Sequence, residues 1–203
     1  MIKIKTEQQL KPSRVGILGG TFDPIHHGHL FIAEQVYQRL NLDEVWLLPD
    51  NQPPHIDQKN PVAVTERITM VQKAIENNPH LKLALDEVLR GGKSYTIDTI
   101  LAFQEQYPET EFYFIIGADM VAYLPKWYRI DELVQLVNFV GVYRSGYPKE
   151  TKYPVQWVEL PLLEISSSQI REYCYQERSI RYLVPDHVAA YIAEKRLYAN
   201  DKD

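Results

Sequence analysis

The sequence predicts an α/β fold, a single domain over residues 1–203 with a doubly wound, mostly parallel sheet. Three observations predict it. Short β-branched or aromatic runs alternate with longer runs whose apolar residues recur at helical spacing. That alternation inserts a helical crossover between strands, which favours parallel pairing and helices on both faces. The third is a cluster of glycine and histidine directly behind the first strand, at the end of an open α/β sheet where ligands bind.

The predicted strands are 14–18, 44–48, 81–85, 112–116, 139–143 and 155–160. The first helix is read from Leu30, with apolar residues at Phe31, Ala33, Val36, Tyr37 and Leu40 and a stop at Asn41. Further helical spacing covers 65–76, 95–106, 130–136 and 168–177. A last helix opens at Pro185, whose fixed φ suits a first helical position, and ends near Leu197. The part from about residue 166 forms a small C-terminal helical subregion. Residues 49–61, PDNQPPHIDQKNP, are too rich in proline for regular structure and read as a lid or binding loop. Neither an internal repeat nor a low-complexity segment interrupts this order.

Composition narrows the function classes. No window holds the roughly 18 apolar residues of a membrane span, and the N-terminus lacks the apolar core of a secretory signal. Cys174 is the lone cysteine, so no intrachain disulfide forms and a cytoplasmic home is expected. A net charge of -5 without a long basic run argues against a nucleic-acid partner. A small anionic ligand needs only a few local donors and stays open.

The segment GGTFDPIHHGH, residues 19–29, joins the first strand to the first helix. Gly19 and Gly20 are expected to let the backbone turn sharply and to let a ligand approach the main chain. The first amides of the following helix favour a phosphate. The glycine spacing is not that of GxGxxG, and GGKS at 91–94 lacks the earlier glycine of a phosphate-binding P-loop. His26 and His29, three apart, project to one side, and Gly28 removes a side chain that would block close contact. Two imidazoles beside amide donors suit a phosphate that gains charge in its transition state. A metal site completed by Asp23, or plain surface histidines, are the competing readings.

The eleven residues from Gly19 to His29 closely resemble the GGTFDPxHxGH signature of the nucleotidylyltransferase superfamily, and the longer form is similar to that of bacterial nicotinate-nucleotide adenylyltransferases. The resemblance implies a Rossmann-like nucleotidylyltransferase fold. It also implies ATP binding by Gly19, Gly20, Thr21, Phe22, His26, Gly28 and His29.

A second stretch, ISSSQIR at 165–171, starts a later helix. Its serines are good caps, and Arg171 lies one turn beyond Ser168, where a guanidinium can grip a polyphosphate. A serine cap with a solvated arginine is the bland alternative. The stretch resembles the family's ISSTxIR, with Ser168 at the usual threonine. That implies Ile165, Ser166, Ser167, Ser168 and Arg171 as contacts of the ATP triphosphate. His26, His29 and Arg171 are then the expected catalytic residues, with Arg171 on the leaving pyrophosphate.

Other short matches span nearly the whole chain, out to YLVPDHVAAYI near the C-terminus. GKSYTIDT at 92–99 resembles the family's GxSYTxDT, implying Thr96 and Asp98 as mononucleotide contacts, with Thr96 read as a helix cap. IIGADM at 115–120 implies that Gly117 and Asp119 meet the nucleotide, Asp119 at a ribose. PKWY at 125–128 implies that Trp127 stacks on the pyridine ring and that the Tyr128 amide holds the nicotinate carboxylate. On residue type alone Trp127 is equally a core residue. In the proline loop, Ile56 stands where the family usually has a basic residue, with Lys59 as the nearest substitute.

The implied reaction is the transfer of AMP from ATP to nicotinate mononucleotide, with pyrophosphate leaving and Mg²⁺ travelling on the ATP phosphates. No covalent enzyme intermediate is implied, and no GxSxG elbow is present. A homodimer is compatible with the family, although no surface pattern demands one. The alternatives are adenylyl transfer to nicotinamide mononucleotide or to pantetheine phosphate, a non-catalytic nucleotide sensor, and a metal-binding protein. A class I aminoacyl-tRNA synthetase would need a KMSKS segment, which is absent.

Overall fold

The computed structural model describes residues 14–52, 61–143, 150–161 and 163–199. The elements run β1 (Arg14–Gly20), α1 (His27–Leu40), β2 (Glu44–Pro49), α2 (Val64–Ile75), β3 (Leu81–Leu83), α3 (Asp86–Arg90), α4 (Thr96–Gln106) and β4 (Glu111–Gly117). After β4 come α5 (Ala118–Tyr123), a 3₁₀ turn (Leu124–Lys126), α6 (Ile130–Leu136), β5 (Asn138–Tyr143), β6 (Val155–Glu159), α7 (Ser167–Tyr175) and α8 (Asp186–Lys195). The six strands form one sheet in the order β3-β2-β1-β4-β5-β6. Every pairing is parallel.

The period-2 geometry of the strands sorts the core into two layers. On β4, Tyr113 and Ile115 face the layer under α1, α2, α7 and α8. Phe112, Phe114 and Ile116 face the layer built with α4, α5 and α6. Both faces are therefore covered, as near-continuous apolar strands require. Helix α1 stops where expected: Asn41 is left-handed (φ 48°), and its amide returns to the carbonyls of Gln38 and Tyr37.

Strand order reverses between β1 and β4, and in an open α/β sheet the crevice beyond the carboxyl ends at such a switch point is where ligands bind. Leu18 pairs with Ile115, so two residues further on Gly20 comes level with Gly117. Among the described residues, no helix is long and apolar enough to cross a membrane.

Three expectations need correction. The chain does not turn at Gly19 and Gly20, which remain in β1; the left-handed residue is Phe22 (φ 50°), held in place by complete burial of its ring. What glycine supplies at position 20 is space, because a Cβ there would lie 3.2 Å from the Phe22 ring. Thr96 is not the cap of α4. Tyr95 occupies that position without a side-chain bond, and Thr96 is the first helical residue. Finally, Pro185 is not the first helical position but the N-cap of α8, which starts at Asp186; α3 and α5, only one or two turns long, are too short to display a periodicity. The proline-loop residues 53–60, including Ile56 and Lys59, lie outside the described residues.

Candidate active site

The crevice at the β1/β4 switch collects the first signature. His26 is the N-cap of α1, in extended backbone geometry and 5% exposed. Its ring stacks on that of His29, with centroids 3.7 Å apart and planes 23° from parallel. The His26 amide donates to His29 Nδ1 at 3.3 Å. A neutral His29 therefore carries its proton on Nε2, where it is a donor. The Phe22 ring meets His29 edge-on at 5.1 Å, so the second imidazole is fixed from two sides.

Gly28 has a more specific task than leaving room for a ligand. A Cβ at this position would lie 2.9 Å from His26 Nδ1 and 3.6 Å from the Ile165 carbonyl. The missing side chain lets the His26 ring fold back over the helix start and lets the second signature approach. His27 points elsewhere: its amide donates to the Leu183 carbonyl, and its ring lines a groove with Lys73, Ala74 and His187.

The second signature meets the first directly. Ser166 caps α7, accepting from the Gln169 amide. Ser167 donates to the Pro24 carbonyl at 2.9 Å. Arg171 is 6% exposed; its Nη1 donates to the Asp23 carbonyl at 2.8 Å and lies 3.8 Å from Asp23 Oδ2. Its Nη2 donates to Ser168 Oγ at 3.2 Å. The bland alternative of a solvated arginine is thereby excluded. Arg171 braces the loop that presents the histidines, from a position 148 residues away in sequence.

Residues that sequence reasoning did not single out complete the support. Arg67, 1% exposed, donates through Nη1 to the Thr21 carbonyl and through Nη2 to the Asp50 carbonyl. Asp50 accepts from the Thr21 hydroxyl and lies 3.5 Å from Arg67 Nη1. Tyr198 donates its hydroxyl to Asp23 Oδ1 at 2.8 Å. Burial raises the Asp23 carboxyl above its ordinary value, opposed by the Tyr198 hydrogen bond and the Arg171 charge. Burial likewise raises Asp50, opposed by Thr21 and Arg67. A signal for Arg67 exists in the sequence. It occupies a place in the apolar stripe of α2 with Met70, Val71 and Ile75, where an arginine needs a buried partner.

On the other side of the crevice, Asp119 is exposed and folds its carboxylate back over Gly117, where no side chain stands in the way. Phe114 links this side to the first loop: its ring edge lies 3.3 Å from where a Gly19 Cβ would be and contacts Trp127 edge-on at 5.9 Å. Trp127 also meets Phe139 and is half-buried, so it is partly a core residue and partly open. Tyr128, 53% exposed, has its ring 4.7 Å from that of Tyr95. This contact brings the PKWY stretch beside the start of α4, where Thr96 and Asp98 lie half-buried. The loop after β2 is tied to the same segment: the Asn51 amide donates to Ser94 Oγ, and the Ser94 amide to the Gln52 carbonyl. Beneath it, buried Glu87 accepts from Thr99 and Ser94, and burial raises its carboxyl. No group of three or more histidine, cysteine, aspartate or glutamate side chains is placed to hold a metal among the described residues.

The fold together with the relatives of this chain defines a nucleotidyltransferase. The cytidylyltransferase-like family model matches residues 17–173. A protein of Lactiplantibacillus plantarum, named a probable nicotinate-nucleotide adenylyltransferase, is 57% identical over 91% of this chain and 88% of its own. One of Enterococcus faecalis with the same name is 48% identical over 94% and 87%. The solved Plasmodium falciparum nicotinic acid mononucleotide adenylyltransferase, complexed with NaAD, shares the fold at a TM-score of 0.78 and 22% identity, over 93% of this chain and 98% of that one. The chain belongs to the nicotinate-nucleotide adenylyltransferase family.

Gly28→Ala is expected to displace the His26 ring and lower kcat by about 100-fold, the scale set by an ångström of misplacement. Crowding a buried ring should also cost on the order of 1–3 kcal/mol of stability; an unaltered kcat in the folded variant would show that the ring position is irrelevant. Glu87 makes a pH-dependent contribution to folding. Its raised carboxyl holds a proton more tightly in the folded protein than in the unfolded chain. The stability this lends is complete below the unfolded value and lost as pH rises through the folded one. Urea unfolding should show wild type losing ground to Glu87→Gln from about pH 4.5 upward, then a constant gap. A gap that is flat throughout contradicts this assignment.

Proposed function

We propose that the chain transfers AMP from ATP to nicotinate mononucleotide, forming nicotinate adenine dinucleotide and pyrophosphate in NAD biosynthesis. A phosphate oxygen of the mononucleotide attacks the α-phosphorus in line. The bond from that phosphorus to the α–β bridging oxygen breaks, and its electron pair leaves with pyrophosphate. The observation that carries this reading is the joining of both signatures at one crevice, with stacked His26 and His29 at the start of α1 and α7 locked against the same loop.

In this reading His26 and His29 act at the α-phosphate. His29 Nε2–H and the first amides of α1 donate to oxygens that gain charge as the new bond forms. Holding two polyanions in register supplies the other part of the rate, with well-oriented reactions gaining on the order of 7–11 kcal/mol. Arg171 and the capped start of α7 take the leaving pyrophosphate; a guanidinium has five donors, so bracing Asp23 and serving a phosphate are compatible. Gly117 and Asp119 contact the nucleotide across the switch. Thr96, Asp98, Trp127 and Tyr128 form the pyridine-nucleotide side.

Adenylyl transfer from ATP proceeds with a divalent cation. In this reading the ion enters on the triphosphate, as part of the substrate. We assign Mg²⁺, which keeps several waters and binds through phosphates. A cytoplasmic location agrees with the single cysteine, Cys174.

The direct test combines the protein with ATP, Mg²⁺ and, separately, nicotinate mononucleotide, nicotinamide mononucleotide and pantetheine phosphate, following pyrophosphate release. Release should be fastest with the nicotinate compound; absence of release with all three contradicts an enzymatic role. His29→Ala is expected to lower kcat by about 10²–10³, the scale for one lost transition-state donor, and to leave KM for the mononucleotide within a few fold. Equal losses in both would assign His29 to the structure instead.

A further inference from the structure

Asp23 lies three residues before His26 and is held at both ends of the residue. Its carbonyl accepts from Arg171 of α7. Its carboxylate accepts from Tyr198, a residue beyond the last helix and 175 positions away. Tyr198 is 3% exposed and belongs to the same core layer as Phe22, Ile25 and Ile170. The chain reaches it through two left-handed residues, Arg196 (φ 51°) and Tyr198 itself (φ 65°). Such backbone is uncommon for side-chain-bearing residues and persists where the surroundings fix it. Here the hydroxyl, not the ring alone, has a defined partner, and that partner is a residue of the signature loop.

We propose that Tyr198 is a positioning residue for adenylyl transfer: its hydroxyl anchors Asp23, and through Asp23 it sets the segment that presents His26 and His29. The proposal rests on the transferase reading above, but its first consequence needs no substrate. The Asp23 carboxylate also accepts from the Val62 amide; the titratable and charged groups facing it are Arg171 from α7, Arg67 from α2, Asp50 after β2 and Tyr198, with Cys174 near the tyrosine. The hydroxyl favours ionised Asp23, which pairs with Arg171. Removing it raises the pH at which that carboxylate takes a proton and releases the loop.

The test uses the full chain with Tyr198→Phe, which keeps the buried ring and deletes one oxygen. Met70→Leu is the control, since Met70 Sδ lies 4.0 Å from the same hydroxyl without a link to Asp23. Amide hydrogen exchange of residues 23–30 should be faster in Tyr198→Phe than in wild type and unchanged in Met70→Leu. With ATP, Mg²⁺ and nicotinate mononucleotide, kcat should fall about tenfold, both KM values should stay within about twofold, and the acid limb of the kcat profile should move to higher pH. Should Tyr198→Phe fail to fold, Asp23→Asn keeps an acceptor for the hydroxyl but is neutral at every pH, so kcat should be low throughout and lack the acid limb. Unchanged exchange and kcat in Tyr198→Phe, equal losses in Met70→Leu, or an intact acid limb in Asp23→Asn would overturn the proposal. If wild type is inactive but exchange responds as expected, the reaction assigned above is wrong and the anchoring role stands.

Discussion

The hydrogen bond from Arg171 to the Asp23 carbonyl is the contact on which the site depends. It joins two segments that the sheet alone would not bring together, one after β1 and one after β6. The Ser167 bond to Pro24 runs beside it, and fully buried Ile170 drives α7 into the same layer as Phe22 and Ile25. Hydrophobic burial thus brings the helix to the loop, and directional donors fix its register. Two buried aspartates, Asp23 and Asp50, are balanced by two buried arginines, Arg67 and Arg171. Breaking such a pair by removing one partner typically costs about 3–5 kcal/mol, because the other charge is left without compensation. Neither arginine is therefore a simple surface cation.

The proposed chemistry draws on side chains that the fold already holds in place. His26 is fixed by the cap geometry of α1 and by the space over Gly28; His29 is fixed by the His26 amide and the Phe22 edge. Donors already aimed at a developing charge need no reorganisation at the moment of reaction. A similar set of ties holds the segment proposed to face the mononucleotide. There Asn51, Ser94, Thr99 and Glu87 tie the loop after β2 to the start of α4.

Much of the fold is legible because the four inner strands, β1, β2, β4 and β5, are mostly buried and read as near-continuous apolar runs. All six were located within two residues, and Asn41 marked its helix end by residue type alone. The paired histidines were legible from their spacing after a strand. What resisted reading was long-range polar pairing. No local pattern tells that Tyr198 reaches Asp23 or that Arg171 spends a donor on a backbone carbonyl. The glycine turn was misread for a related reason: burial of the Phe22 ring holds that residue left-handed, a tertiary effect that no propensity encodes. Thr96 has the residue type of a cap, yet the extended backbone of Tyr95 precedes the helix and Thr96 is already its first residue.

If the two signatures act as one unit, disturbing either should disable the same device. The decisive measurement is a double-mutant cycle on kcat/KM for Arg171→Lys and His29→Ala, with nicotinate mononucleotide and ATP as substrates. Coupled groups give grossly non-additive effects. The double variant is expected to be little worse than the poorer single one. Losses that multiply would show that Arg171 and His29 act independently, and would contradict the account.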